Sequence, residues 1–246
     1  MNTTENLNQL QQLKLRGMAG SYEAMTQLPL HKQPESHELL ANLLQAELQY
    51  RQHQRRELLL RLGKLRYQSG IEQIICSPQR NLTKQQLAQL ADCAFITRAE
   101  NILISGATGC GKSYLACALG NQACLMGHRT LYLNMNRFCE RLALAKLDGT
   151  YLKILNQIEK IRLLVLDDFG LQPLDHQVKL ALLQILEDRY GKKSILIASQ
   201  LPIGKWHEYL QEPTLADAIM DRLTANAHKI ELKGESLRKK TNQKTN

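Results

Sequence analysis

No apolar run in the chain approaches the roughly 20 residues that a membrane-spanning helix needs, so no such helix is expected. The opening residues, Met1-Asn2-Thr3-Thr4-Glu5-Asn6, hold no basic segment leading into an apolar core. A secretory signal is therefore not expected, and the cytoplasm is the default address. Zinc-type spacing is missing too. The six cysteines, Cys76, Cys93, Cys110, Cys117, Cys124 and Cys139, form no C-x-x-C pair and match no Cys/His zinc pattern. Buried reduced thiols are the expected state instead. No internal repeat appears, which argues against a solenoid. Acidic charge is in deficit: 32 Lys and Arg stand against 23 Asp and Glu, a net +9. A basic balance of this size favours an acidic partner, with nucleic acid first and an anionic membrane surface second.

The chain is organised around Gly106-Ala107-Thr108-Gly109-Cys110-Gly111-Lys112-Ser113, which reads G-x-x-x-x-G-K-[ST]. The apolar run Asn101–Ser105 before it reads as a buried strand, and Tyr114–Leu119 after it opens a helical pattern. A strand, a glycine loop and a helix N-terminus gather backbone N–H groups and the positive end of a helix around one anion. Lys112 is expected at the β- and γ-phosphates of a nucleoside triphosphate, and the Ser113 hydroxyl on Mg²⁺. Tyr114 stands at the loop's exit. ATP and Mg²⁺ are the cofactors expected here, with 106–114 as the binding segment.

Strand and helix patterns alternate from there on. Strands are expected at 101–105, 130–134, 161–168, 194–199 and 228–232, and helices at 112–126, 136–147, 151–160, 175–190 and 214–225. Such alternation predicts a parallel sheet covered by helices on both faces. Residues 5–66 are helical in pattern, with Leu39, Leu40, Leu43, Leu44 and Leu48 on the apolar side of a long helix and Glu47–Arg51 as an i,i+4 pair. Thr83 and Gln86 form a capping box for a short helix. Gly70, Ser77-Pro78 and Asn81 mark the boundary between modules. The expected division is a helical domain at 1–78, a nucleotide domain at 79–240 and a disordered tail at 241–246.

Phosphate binding alone is not catalysis. Ligands of open α/β sheets bind beyond the carboxyl ends of the strands. Leu163-Leu164-Val165-Leu166 ends in Asp167-Asp168 at such a place. Asp167 is expected to join Ser113 as a metal ligand, and Asp168 to activate the attacking water. Ser199-Gln200 ends the next strand, where a polar side chain reaches γ-phosphate or water, or simply makes a turn. A second feature lies outside this domain. Arg51, Arg55, Arg56, Arg61, Lys64 and Arg66 crowd into 51–66 with one acid, Glu57. That run is either a solvated helix face or a surface that tracks DNA phosphates.

The glycine loop, Leu166-Asp167-Asp168-Phe169-Gly170, Ala198-Ser199-Gln200-Leu201-Pro202, Lys205–Tyr209, Glu212–Ala218, Asp221-Arg222-Leu223 and Leu232–Arg238 together resemble the IstB-type transposition helper ATPases. These are AAA+ proteins of bacterial insertion sequences, related to the DnaC helicase loader. The resemblance spans nearly the whole chain, including Ala46-Glu47-Leu48-Gln49-Tyr50-Arg51. It implies an AAA+ P-loop sheet sandwiched by helices and preceded by a small all-α domain. It also implies ATP hydrolysis, homo-oligomeric assembly on duplex DNA and delivery of target DNA to a partner transposase. Gln200, with Ser199 as the alternative beside it, matches the sensor-1 position, Arg222 the arginine finger that reaches a neighbouring subunit's nucleotide, and Arg238 the sensor-2 position. Two departures matter. The residues after Leu232 leave no room for a full helical lid, and Asp168 stands where most AAA+ proteins carry Glu. The shorter acid implies slow hydrolysis, suited to a switch more than to a motor. A helicase loader is the alternative within the class, and a transposase or primosomal neighbouring gene would tell the two apart. A metabolic P-loop kinase would need a substrate pocket and lid for which the sequence offers no residues.

Overall fold

The computed structural model describes residues 3–237. The expected tail at 241–246 lies outside them. Among the described residues no helix is long and apolar enough to cross a membrane. The chain divides into two compact units, the first ending at Leu58 and the second starting at Leu59.

The first unit is helical. It holds α1 (Thr3–Gln12), α2 (Arg16–Thr26) and most of α3 (Ser36–Gly63). Glu47 organises it. Its buried carboxylate accepts the N–H groups of Gly17 (2.8 Å) and Met18 (3.2 Å), free donors in the first turn of α2. Arg51 donates to the other oxygen at 2.7 Å, so the expected i,i+4 pair is present. Burial works to raise the Glu47 pKa, but the bonds from Arg51, Met18 and Gly17 hold it below the usual carboxylate range. The packed side of α3 is Leu39, Leu43, Ala46, Glu47 and Tyr50; Leu40, Leu44 and Leu48 are exposed, against the sequence reading. Two short helices are too few to cover every leucine of a long one.

Gly17 sits where α2 meets α3. A Cβ there would come within 2.5 Å of the Ala46 carbonyl oxygen and 2.6 Å of the Glu47 Cα. These are backbone atoms and cannot step aside. Gly17→Ala is therefore expected to destabilise this unit by about 1–3 kcal/mol, as overpacking does. Faster amide exchange confined to residues 16–58 would show it; unchanged exchange would mean that the helices separate freely.

The second unit is built on a five-stranded sheet. After α4 (Lys84–Ala91) and α5 (Ala94–Thr97), the order is β1 (Asn101–Gly106), α6 (Lys112–Leu125), β2 (Thr130–Asn134), α7 (Met135–Leu147), α8 (Tyr151–Glu159), β3 (Leu163–Phe169) and α9 (His176–Arg189). β4 (Ser194–Ser199), α10 (Trp206–Leu210), α11 (Pro213–Thr224) and β5 (Ala227–Leu232) complete it. All neighbouring strands are parallel, in the order β2-β3-β4-β1-β5. Alternate residues face opposite sides, as the strand pleat requires. Ile102, Ile104, Val165 and Leu196 pack under α6, while Leu103, Leu164, Leu166 and Ile197 pack against α7, α8, α9 and α11. Both faces are thus buried, which explains the near-continuous apolar runs of the strands. The Thr83–Gln86 capping box forms as expected.

Arg189 closes the base of the sheet. It is fully buried and donates to the carbonyls of Ile158, Ile161, Arg162 and Ser194 at 2.6–3.2 Å. Burial, then the nearby Arg162 charge, pulls its pKa down to about 10.

The module boundary lies earlier than the turn residues suggest. Residues 59–78 fold onto the sheet unit: Leu65, Tyr67, Ile71, Ile74 and Cys76 pack on the α6 face. Leu65 lies over Gly120 of α6, where a Cβ would meet its Cδ2 at 2.6 Å. Asn121 then donates to the Tyr67 and Ser69 carbonyls at 3.0 and 2.9 Å.

Candidate nucleotide site

The chain steps from β1 to the far edge strand β2, returns through β3 and β4, and crosses over β1 to β5. The carboxyl end of β1 lies at this reversal, where open α/β sheets leave a crevice. Residues 107–111 fill it as a tight loop leading into α6. Gly106 has φ +149°, and a Cβ on it would lie 2.3 Å from the Leu232 carbonyl oxygen. Gly111, with φ +93°, caps α6, and a Cβ there would come within 3.1 Å of the Arg80 guanidinium. Neither place admits a side chain, so only backbone can make the close approach to a ligand there.

Several expected residues meet here. Lys112 is buried and curls over its own loop, donating to the Ala107 carbonyl at 2.8 Å. Ser113 Oγ donates to Asp167 Oδ1 at 2.9 Å. The buried Asp167 also accepts the Tyr132 hydroxyl on Oδ2 (2.7 Å) and the Asp168 N–H on Oδ1 (2.9 Å). Asp168 is half-buried at φ +61°, and its Oδ2 accepts the Asn134 amide at 2.7 Å. Burial and the Asp167 charge raise the Asp168 pKa, against the pull of Arg66, Asn134 and Lys112. Thr108 Oγ1 donates to Gln200 Oε1 at 2.8 Å, tying the loop to the end of β4.

A cavity of about 690 Å³ opens beside these groups. Its lining combines Tyr67, Ile74, Ile75, Leu82, Leu232 and Leu237 with Thr108, Gly109, Lys112, Ser113, Asp168 and Gln200. Apolar side chains together with the phosphate loop suit a base and its phosphates. Tyr114 belongs to its wall, its hydroxyl donating to Gln73 at 2.6 Å. Arg80 stands at the loop, donating to the Cys110 carbonyl at 2.5 Å. Sequence reading missed this apolar wall because Gly70, Ser77-Pro78 and Asn81 make 67–82 look like a linker. The signal that remained was the apolar pair Ile74-Ile75.

Other expected residues are placed elsewhere. Ser199 is buried and donates to the Phe169 carbonyl at 2.6 Å, so it is a turn residue and Gln200 alone faces the cavity. Arg222 lies by the amino ends of the strands. Its carbonyl accepts from Asn101, and its guanidinium pairs with Glu187 at 2.5 Å. Arg51, Arg55, Arg56, Arg61 and Lys64 are exposed. Lys64 is already past the end of α3, at φ +51°. Arg66 is exposed as well, and its guanidinium lies 3.7 Å from Asp168 and over the Tyr67 ring. Arg238 lies outside the described residues.

A parallel sheet in this order, with a glycine loop joining β1 to α6, is the P-loop fold of AAA+ type. The crystal structure of the DnaC helicase loader shares the fold, with a TM-score of 0.57 at 17% identity, covering 68% of this chain and 98% of that one. The chain belongs to the family described as IstB-like ATP binding protein, whose model matches residues 8–245. An insertion sequence ATP-binding protein of Sinorhizobium fredii is 41% identical over 97% of this chain and 98% of its own length. The ATP-binding protein of insertion sequence IS21 from Pseudomonas aeruginosa is 31% identical over 96% and 89%.

Proposed function

We propose that this protein is an ATP-hydrolysing, DNA-binding assembly factor of an insertion sequence. It assembles with ATP into a homo-oligomer on duplex DNA and delivers that DNA to the element's transposase. The observation that carries the reading is the contact of Ser113 with Asp167 at the glycine loop, with Asp168 next along. Family membership and the insertion-sequence relatives support the transposition setting; the likeness to the helicase loader is one of fold.

The residues suit the group expected there. One hydroxyl and one carboxylate oxygen at 2.9 Å are what a Mg²⁺ ion takes from a protein when phosphates and waters complete its shell. Ser113 and Asp167 would hold it, and it would neutralise charge on the phosphates. Tyr132 fixes Asp167 from behind. Lys112 exchanges the Ala107 carbonyl for phosphate oxygens, with the loop N–H groups around them. Asp168 accepts a proton from the attacking water. Gln200 orients that water or the γ-phosphate, and Arg238 is kept as a further cation near the nucleotide. Arg222 acts on the neighbouring subunit.

Arg55, Arg56, Arg61 and Lys64 are proposed as duplex-backbone contacts. Arg51 joins them only through what its bond to Glu47 leaves free. Phosphate contacts release counterions, so duplex affinity in the presence of an ATP analogue should fall steeply with salt and show little sequence preference. Changing Arg55 and Arg56 together to Ala should lower the log–log salt slope by about two units. ATP binding should be unaffected. A double variant with unchanged slope and affinity would make this run a solvated face only.

A further inference from the structure

We propose that Arg66 is a positioning residue for Asp168: with Asn134 it fixes one carboxylate oxygen and leaves the other to the attacking water. The proposal rests on Asp168 being the base.

Asp168 needs such help. It lies in the left-handed region, φ +61°, at the irregularity where the pairing of β3 with β4 shifts between Leu166 and Phe169. Regular strand geometry no longer aims its side chain there, so its partners must. Two of them converge on Oδ2: the Asn134 amide at 2.7 Å and the Arg66 guanidinium at 3.7 Å. Among the described residues none gives Oδ1 a hydrogen bond, while Asp168 itself lines the cavity. Asn134 arrives from β2, where it is in register with Asp167. Arg66 arrives from another direction, three residues beyond the end of α3. Two supports from separate segments hold a carboxylate plane better than one.

Arg66 is itself restrained. Its guanidinium lies over the Tyr67 ring, 5.3 Å from the centroid, and the Tyr67 carbonyl is held by Asn121. Tyr67 lines the cavity but Arg66 does not, so the cation faces the carboxylates more than the nucleotide; it also meets the Tyr132 hydroxyl, which holds Asp167. Its side chain is 45% exposed, which screens its charge and makes direction more important than binding energy.

The test uses the full-length protein and steady-state ATP hydrolysis. Arg66→Met keeps an unbranched side chain of similar length at a partly exposed position, so folding should be preserved while the charged fork is lost. It should leave ATP affinity unchanged and lower kcat by about 10- to 100-fold, the scale of a misplaced catalytic group. Arg66→Lys should recover part of that rate. On an Asp168→Asn background, Arg66→Met should cost nothing more. A wild-type kcat in Arg66→Met, a loss that persists on the Asp168→Asn background, or a loss of ATP affinity would each overturn the proposal. So would a drop of about 0.9 in the DNA salt slope, which would place Arg66 in the phosphate-contacting set. If Asp168→Asn alone hydrolyses ATP at the wild-type rate, the base assignment fails whatever Arg66 does, so the two failures are distinguishable.

Discussion

Asp168→Asn is expected to bind ATP like the wild type and to hydrolyse it about 10³-fold more slowly, the middle of the range for a lost general base. The substitution keeps shape and size. It also keeps a carbonyl oxygen that can accept the Asn134 amide. Asparagine enters the left-handed region more readily than most residues, so φ +61° is no obstacle. The lost feature is the ability to take a proton. Ser113 and Asp167, the proposed cation ligands, are both left in place. Fluorescent-nucleotide binding and phosphate release, measured on one preparation, separate the two effects. The proposed function then expects ATP-bound assemblies on DNA to persist longer in the variant. Wild-type phosphate release in the variant would move the base to another residue.

The sheet was legible because strands buried on both faces must be apolar throughout. The five expected strands appear, each within about two residues of its observed bounds, the usual uncertainty at element ends. The loop, Ser113–Asp167 and the Thr83 cap were legible for a local reason: each is set by spacing along the chain or by strand ends in one sheet. The apolar lining of the cavity was not. Leu65 finds Gly120 and Tyr67 finds Asn121 across more than 50 residues, and no short-range pattern announces such contacts. The same holds on β2. Tyr132 and Asn134 are alternate residues of one strand, so they share a face and reach Asp167 and Asp168 respectively. Their pattern says strand, and only the register of β2 on β3 says site. The place of Arg66 beside Asp168 was not legible because charge clustering in sequence ignores where a helix stops. α3 ends at Gly63, and the backbone turns at Lys64, which carries Arg66 away from the helical run.

Arg222→Ala is expected to leave ATP affinity of the free protein unchanged while cutting assembled turnover by about 10³-fold or more, the contribution of an arginine finger. A role on its own chain's nucleotide is geometrically closed. The Arg222 backbone meets Asn101 at the amino end of β1, whereas the loop leaves the carboxyl end, about 17 Å further along the strand. An arginine side chain cannot span that distance. Its guanidinium is held at the surface by Glu187 and by the Ala218 carbonyl, 26% exposed, where a second subunit can take it over. Mixing the variant with Lys112→Ala makes the trans geometry testable. Each variant alone lacks one half of every interface, the finger or the loop cation. In a mixed assembly, an Arg222→Ala subunit's intact loop meets the intact finger of a Lys112→Ala neighbour, and turnover should partly return. Glu187→Gln serves as the control, since it breaks the ion pair but keeps the finger, and should retain turnover. A mixture no more active than its two components would exclude a finger acting between subunits, and Arg222 would then be a surface anchor between α11 and α9.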